Sequence, residues 1–392
     1  MMHVLQFASW YPKNEGDVSG SFFREFAKKL LDLELKIGVL HAKFVDGLFN
    51  REGGRSESTF FTNEDGLIVG RSTTRIRIPG PARRIATLER RDVRLRLQAG
   101  RALYDEYVAE HGIPDIIHAQ ACFWGGVIAS KIANEEGIPL VVSAHSSVFG
   151  RGLVGRREWG LASSVWRGSA QNISVSRTNA KIICDMFNLP ENTFQIVPNG
   201  IDSEQFTVTP AAPTDQYKWI CIGNLVENKR VDLLIDAMKR LPSEHNLVIV
   251  GDGPMRVNLA QQAAELGDRV EFLGTVERGR VSQLLSQCHA LVHPSQFETF
   301  GVVLVEAMMC GRPVVAMRCG GPEEIIGADT GLLVENGSLE GLIDAMLITS
   351  ETAWNAQTIA SQARDLFDQR AVCERFQGIY SEVITRYHHR NG

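Results

Sequence analysis

Short apolar runs alternate with amphipathic helical stretches from one end of this 392-residue chain to the other, and midway the alternation breaks and begins again. That pattern leaves few folds open. A continuous apolar run too short for a helix is a strand buried on both faces, and strands joined through helices pair in parallel. In the first half His3–Phe7, Lys36–Leu40, Asp115–His118, Leu140–Ser143 and Gln171–Val175 are the predicted strands. Apolar residues at 22, 23, 26, 30 and 31 predict a helix after the Trp10–Gly20 loop, and 124–136 and 177–187 fit crossover helices. Residues 42–70 show no period and read as irregular, with a polar, Gly-rich loop at GLFNREGGRSES.

After VPNGID (197–202) the segment TVTPAAPTDQ is rich in Pro and Thr and has no periodicity, which marks a domain boundary. The pattern then restarts with strands at Tyr217–Ile222, Leu247–Val250, Val270–Leu273, Ala290–His293 and Pro313–Ala316. Helical stretches at 229–240, 255–266, 280–288 and 302–310 separate them, and the tail from 354 to 387 is helical. The fold class is α/β, with Rossmann-like doubly wound domains over 1–205 and 217–370 and a last helix, 371–392, returning toward the first domain. Ligands of such sheets lie beyond the carboxyl ends of the strands. A formal net charge of -5 argues against a dedicated nucleic-acid binder. Seven scattered Cys without a CxxC pair suggest neither a disulfide framework nor a zinc site. The N-terminus is too short and wrongly flanked for a signal peptide, and no apolar run is long enough to span a bilayer, so a cytoplasmic protein is expected.

The stretch His293–Glu306, HPSQFETFGVVLVE, carries the strongest chemical signal. A strand stops at Pro294, and Glu298, Thr299, Phe300 and Gly301 lead into a helix ending near Glu306. Unpaired, partly positive amides at a helix start suit a phosphate, and Glu306 leans back toward them. A carboxylate accepts both hydrogen bonds of a diol, so two Glu around one anion site suggest phosphate flanked by sugar hydroxyls. Other loops follow strands of the same half. Gly223–Arg230, GNLVENKR, opens a helix at Lys229, a cation placed for phosphate. VGDGP has Gly251 and Gly253, which let backbone approach a ligand closely, and Gly274–Thr275–Val276 and Gly320–Gly321–Pro322–Glu323 make further turns. Each alone is weak; their order and matched placement are specific.

Together these residues resemble glycosyltransferase family 4, retaining transferases with two facing Rossmann-like domains (the GT-B fold). Glu298 to Glu306 matches the family's E-x7-E motif, and HPS, FG, VGDGP, VPNGID and GGPEEI match in order. GSFFREFAKKL, PDIIHAQ and AHS match more loosely in the first half. The resemblance implies that Glu298 bonds donor-sugar hydroxyls near the reacting carbon, and that amides around Thr299, Phe300 and Gly301 hold the distal phosphate. Glu306 would bind the ribose, Lys229 the diphosphate, and backbone near Val276 the base. Gly20 would let first-domain backbone approach the phosphate, and His145 would sit by the sugar. His118 and His293 are taken as packing residues. Two departures stand out. Asn224 occupies the position of a usual Arg, with Arg230, in place of a usual Gly, as its candidate substitute; Ser19–Gly20 replaces a Gly pair.

The expected activity is transfer of a hexose from a UDP- or GDP-sugar to a glycan or lipid-linked acceptor in polysaccharide, lipopolysaccharide or other glycoconjugate synthesis. No DxD-like metal site stands out, and the resemblance implies metal-independent transfer without a cofactor. Retention by front-face substitution is favoured over a covalent intermediate on Glu298. From Arg71 to Arg101 ten Arg face only Glu89 and Asp92. Two readings stand for this run: contact with anionic lipid or a pyrophosphate-linked acceptor, at about 1 kcal/mol per basic residue, or a solvated helix face. Rival functions are a sugar-nucleotide epimerase or hydrolase, and a catalytically silent partner that only binds nucleotide. The absence of GxGxxG after the first strand disfavours a dinucleotide oxidoreductase.

Overall fold

A computed structural model describes residues 1–12, 20–46, 58–76, 86–209 and 216–391. Ser19, the loop at 47–57, linker residues 210–215 and Arg77, Arg83 and Arg84 lie outside the described residues. The first domain contains strands β1 (His3–Phe7), β2 (Lys36–Asp46), β3 (Ser58–Glu64), β4 (Leu67–Ile76), β5 (Ile116–Ala119), β6 (Leu140–Ala144), β7 (Gln171–Ser174) and β8 (Phe194–Ile196). Its helices are α1 (Ser21–Leu31), α2 (Ala86–His111), α3 (Val127–Glu136), α4 (Arg156–Gly168) and α5 (Arg177–Phe187). The strands form one eight-stranded sheet in the order β3-β4-β2-β1-β5-β6-β7-β8.

The second domain contains β9 (Tyr217–Ile222), β10 (His245–Val250), β11 (Val270–Gly274), β12 (Ala290–His293), β13 (Val314–Met317) and β14 (Gly331–Val334). Between and after them run α6 (Val231–Arg240), α7 (Arg256–Ala263), α8 (Arg278–Ser286), α9 (Val302–Met309), α10 (Leu339–Glu351), α11 (Ala356–Phe367) and α12 (Gln369–Asn391). This sheet is parallel throughout, in the order β11-β10-β9-β12-β13-β14.

One expectation fails in the first sheet. The described residues of 42–70 are not irregular: β2 runs on to Asp46, and β3 and β4 form an antiparallel hairpin at the sheet edge. The turn is Asp65–Gly66, with φ of 55° and 92°, the paired positive φ that a two-residue hairpin needs. The Asp-Gly signal was in the sequence, but a strand of mixed polarity such as STFFTNE at a sheet edge lacks the continuous apolar run of a central strand. β8, α4, β14 and α10 are also additional to the predicted elements.

The last helix belongs to the first domain's core. After a bend at Asp368, α12 buries Val372, Cys373, Phe376, Tyr380 and Val383 against Phe26 and Leu30 of α1 and the underside of the first sheet. Each large side chain so buried is worth roughly 1.5–3 kcal/mol. Backbone bonds join Ile201 N to Phe367 O (2.8 Å) and Gln369 N to Ile201 O (3.0 Å), so the linker and the start of α12 cross as one hinge-like strut. His118, fully buried on β5, touches Tyr380 Oη (2.7 Å) and Ser143 Oγ (2.8 Å), in keeping with a structural role.

Burial lowers the His118 pKa to about 3, and burial with nearby Lys36 lowers that of His3 to about 4. Unfolded, both imidazoles take up a proton near pH 6.5. Stability present above that pH is therefore lost as pH falls toward 4, by up to roughly 1.4 kcal/mol per pH unit for each His. The urea midpoint is expected to be lower at pH 5 than at pH 7.5, with proton uptake on unfolding. An unchanged midpoint would show that these rings are not held neutral.

Candidate active site

In the second sheet β9 pairs with β10 on one side and β12 on the other, so the chain winds outward in both directions from that point. The loops after β9 and β12, carrying Lys229 and Glu298, flank the resulting crevice. They are joined directly: Gln296 N donates to Asn228 O (2.9 Å) and Asn228 Nδ2 donates to Phe297 O (3.0 Å). The carboxyl ends of the first sheet face this crevice. Thr299 Oγ1 donates to His145 O (3.2 Å), and the Glu324 carboxylate accepts from Arg177 N (2.9 Å) and Thr178 N (3.0 Å) at the start of α5.

The GGPEEI turn fixes the Glu298 backbone. Glu298 N donates to Cys319 O (3.0 Å), and Gly321 N donates to Glu298 O (2.8 Å). A Cβ on Gly320 would stand 2.6 Å from Glu298 O, and one on Gly321 2.3 Å from Phe300 O, so only Gly fits at both positions. Glu323 holds the turn by accepting from Cys319 N and Gly320 N, each at 3.0 Å. Phe300 turns its ring into the core against Phe367, and Gly301 (φ 102°) leads into α9. What Phe300 and Gly301 offer the crevice is therefore backbone.

Lys229 Nζ donates to Glu298 Oε2 at 2.5 Å, and His293 Nε2 lies 3.3 Å from the same oxygen. Burial by itself would raise the Glu298 pKa, but His293 and Lys229 outweigh it and hold the carboxyl far below the usual range. Burial, assisted by Lys229, lowers the His293 pKa, so the neutral ring donates its Nε2–H to the carboxylate. His293 was expected only to pack; it orients Glu298. Ser295, in the same loop, is fully buried with its hydroxyl unpartnered.

Glu306 lies at the other end of α9's first turns and faces a different cation. Arg278 Nη2 stands 3.7 Å from Glu306 Oε1 and 3.1 Å from Glu25 Oε2 on α1. Arg278 Nη1 also donates to Ser21 Oγ (3.4 Å). Burial raises the Glu306 pKa, Arg278 opposes that and Glu25 adds to it. Burial likewise raises Glu25. Arg278 is thus the cation between two acids from different domains, Glu306 buried and Glu25 half-buried. Arg278 belongs to no motif, and although Glu25 lies within GSFFREFAKKL, a contact between residues 25 and 278 has no local signature.

His145 follows β6. Its Nδ1 meets Asn199 Oδ1 (3.0 Å) and its Nε2 meets Gln120 Oε1 (3.2 Å). Burial lowers its pKa to about 4, against the hydrogen bond to Asn199. A neutral ring has one N–H, so one amide must turn its NH2 toward the other nitrogen. Gly20, with φ 77°, starts α1; a Cβ there would lie 2.7 Å from the Trp10 carbonyl carbon. Asn224 is exposed, and Arg230, itself at φ 49°, donates Nε to both Asp232 oxygens (3.2 and 3.3 Å). In this arrangement Arg230 serves Asp232. Gly251 and Gly253 have a packing reason of their own: a Cβ would strike Gly223 O at 1.9 Å and Leu225 O at 2.5 Å. They let the second and first loops pack together. Val276 is half-buried after β11.

The described arginines of 71–101 do not share one face. Arg71 lies on β4, Arg96 is buried beside Asp92 (3.2 Å), and Arg101 bonds Asp105 (2.8 Å) and Glu136 (2.6 Å). Among the described side chains of α2 before Arg101, Arg91 and Arg94 are the exposed arginines. No group of three His, Cys, Asp or Glu among the described residues is placed to hold a metal ion.

Replacing Arg278 by Ala leaves Glu25 and Glu306 facing each other, so both gain by protonation in the folded state. Their raised folded-state pKa values mean stability kept at low pH and lost as pH rises. Arg278→Ala is expected to cost about 2 kcal/mol at pH 8 and clearly less at pH 5. Equal losses in melts at the two pH values would contradict the bridge.

Comparison with known proteins bears on the same regions. The family model described as Glycosyltransferase Family 4 matches residues 49–205, and that described as Glycosyl transferases group 1 matches 202–364. The phosphatidylinositol N-acetylglucosaminyltransferase gpi3 subunit of Schizosaccharomyces pombe is 28% identical over 243 residues, 57% of this chain and 53% of that protein. The chain spans about half the length of the curated relatives it matches first. Sucrose-phosphate synthase from Thermosynechococcus elongatus superposes with a TM-score of 0.76 at 19% identity, over 98% of this chain and 100% of that one. Anabaena HepE, in complex with UDP and glucose, gives a TM-score of 0.70 at 21% identity, over 97% and 100%. Two parallel α/β domains facing across a crevice, with adjoining family models on the two halves, place this chain among the family-4-like glycosyltransferases of the GT-B fold.

Proposed function

We propose that the chain is a retaining hexosyltransferase that takes its sugar from a UDP- or GDP-sugar and passes it to a glycan or lipid-linked acceptor in glycoconjugate synthesis. The observation that carries this reading is the half-buried pair Lys229–Glu298, held by His293 beside the start of α9 and across from His145. A donor lying along the crevice would put its ribose at Glu306, its diphosphate at Lys229 and the α9 amides, and its sugar between Glu298 and His145.

The chemistry follows from charge. Breaking the bond from sugar to phosphate builds negative charge on the leaving diphosphate, which preorganised N–H donors and an ammonium stabilise. Without donor, Lys229 is neutralised by Glu298. An arriving diphosphate competes for that ammonium, while the His293 N–H keeps Glu298 ionised and aimed. The freed carboxylate oxygen then accepts sugar hydroxyls. In the front-face route the acceptor oxygen bonds to the anomeric carbon as that carbon's bond to the phosphate oxygen breaks, and the departing phosphate oxygen takes the acceptor hydroxyl's proton. Glu298 then orients the sugar and forms no covalent bond. Because Lys229 and backbone supply the positive charge, the proposed reaction needs no divalent metal. It runs in the cytoplasm or at the inner face of a membrane.

A thermal-shift panel of nucleoside diphosphates is expected to give a rise of several degrees with one base. Glu306→Ala should weaken that nucleotide at least tenfold, at a cost of about 1.4 kcal/mol. Glu298→Ala should keep nucleotide binding and lower turnover by about a hundredfold or more. Nucleotide release should require acceptor, survive EDTA dialysis and yield a product of the donor's anomeric configuration. Release at the same rate without acceptor would make the enzyme a hydrolase, and an inverted product would end the retaining assignment.

A further inference from the structure

Behind the crevice a line of buried polar side chains runs from the last helix to His145. Tyr380 on α12 and His118 and Gln120, at and just after β5, are all buried. Tyr380 Oη lies 2.7 Å from His118 Nδ1, and His118 Nε2 lies 2.8 Å from Ser143 Oγ. One end of the Gln120 amide, Nε2, is 3.5 Å from His118 Nδ1 and 3.3 Å from Gln6 Oε1. The other end, Oε1, is 3.2 Å from His145 Nε2, and the Asn199 amide is 3.0 Å from His145 Nδ1. The middle of the line is held by backbone, since Gln120 N donates to Phe7 O (3.0 Å).

The protons in this line can be placed in order from the helix inward. Burial keeps the Tyr380 hydroxyl protonated, and burial lowers the His118 pKa to about 3, so the phenol is a donor and the ring is neutral. A neutral ring has one N–H and one lone pair to share between the two hydroxyls beside it. The phenol is the more acidic of the two and the stronger donor. Tyr380 therefore gives its proton to Nδ1, and Nε2–H is given to Ser143 Oγ. A lone pair at His118 Nδ1 calls for the NH2 end of Gln120 beside it, which Gln6 Oε1 also accepts. The Gln120 carbonyl is left facing His145, and the partner it needs there is Nε2–H. His145 Nδ1 keeps its lone pair and takes an N–H from Asn199, whose NH2 is the end turned toward it.

Both ring nitrogens of His145 are thus spent on amides of its own domain. Phe22 and Phe23 of α1 meet the ring edge-on, with centroids 5.7 and 5.5 Å away. Among the described residues, these two side chains and the two amides carry no charge, and burial lowers the His145 pKa to about 4. What His145 offers the second domain is backbone, its carbonyl accepting from Thr299 Oγ1 (3.2 Å).

We infer that Tyr380 is a positioning residue: through His118 and Gln120 it fixes the proton of His145 on Nε2 and leaves that ring no free nitrogen for the crevice. His145 then frames the donor sugar without taking or giving a proton, and the acceptor hydroxyl's proton goes to the leaving phosphate. The part played in transfer rests on the transferase reading; the tautomer does not.

The test reads the tautomer directly, by NMR of the full chain carrying 13C- and 15N-labelled histidine, because the ring Cδ2 shift differs between the two neutral forms. His145→Gln identifies the signal. In the wild type it should be that of Nε2–H, unchanged from about pH 6 to about pH 8.5. Tyr380→Phe removes the donor and keeps the ring, and a second His145 signal, that of Nδ1–H, should appear. Gln120→Leu removes the acceptor and should convert His145 to Nδ1–H bonded to Asn199. In both variants kcat should fall about three- to tenfold while nucleoside diphosphate affinity stays within about twofold. A loss of stability alone would move neither the tautomer nor the balance between kcat and affinity. Nδ1–H in the wild type, a titration of His145 within that pH range, or a His145 signal unmoved by Tyr380→Phe would overturn the inference. If Tyr380→Phe does not fold, the wild-type signal and Gln120→Leu decide it. Transfer by an enzyme whose His145 titrates in the range removes this inference alone; the stated tautomer in a chain that transfers no sugar removes the transferase reading alone.

Discussion

A carboxylate buried between two domains must meet a cation or surrender its charge, and the crevice of this protein is arranged around that constraint. Glu298 keeps its charge because Lys229 and the His293 N–H reach the same oxygen. Glu306, with the more distant Arg278 and with Glu25 nearby, is pushed the other way. The two acids of one motif therefore rest in different electrostatic states, one just before a short helix and one within it. That difference suits a ligand whose two ends make different demands, an anionic leaving group near one acid and a neutral diol near the other.

The loops that create these states are held by each other more than by their own local structure. The Lys229 loop is bonded to the Glu298 loop through Asn228, and the Glu298 backbone is bonded to the GGPEEI turn. The VGDGP glycines bring the loop after β10 against the loop after β9. Each connection fixes backbone, so the side chains at the crevice are placed with few degrees of freedom left. A site built this way loses little entropy on binding, which is the use of preorganisation in stabilising developing charge.

Much of this was legible in the residues. The strand-helix alternation and its restart after 202 gave the two-domain class, because central parallel strands must be apolar on both faces. β9, β12 and α5 fall where their periodicity puts them. Glu298, Lys229, Glu306, Gly301 and His145 could be picked out because their loops follow strands in a matched order. The β3–β4 hairpin was missed because an edge strand with one wet face lacks that apolar run, although its Asp65–Gly66 turn was visible. For Gly251 and Gly253 the residues alone left open what a glycine there is for; in the structure a Cβ would strike the loop after β9.

By itself, then, the sequence determined the class of fold, the strand ends that carry the functional loops, and the kinds of charged and flexible residues in them. These are properties of local periodicity and local chemistry, written in residues close together in the chain. Only the tertiary structure decided which charge faces which. Arg278 meets Glu25 across 253 positions of sequence, and Thr299 meets His145 across 154. Coulomb and hydrogen-bond energies depend on distances of a few ångströms, and those distances exist only once both sheets have closed on a common crevice.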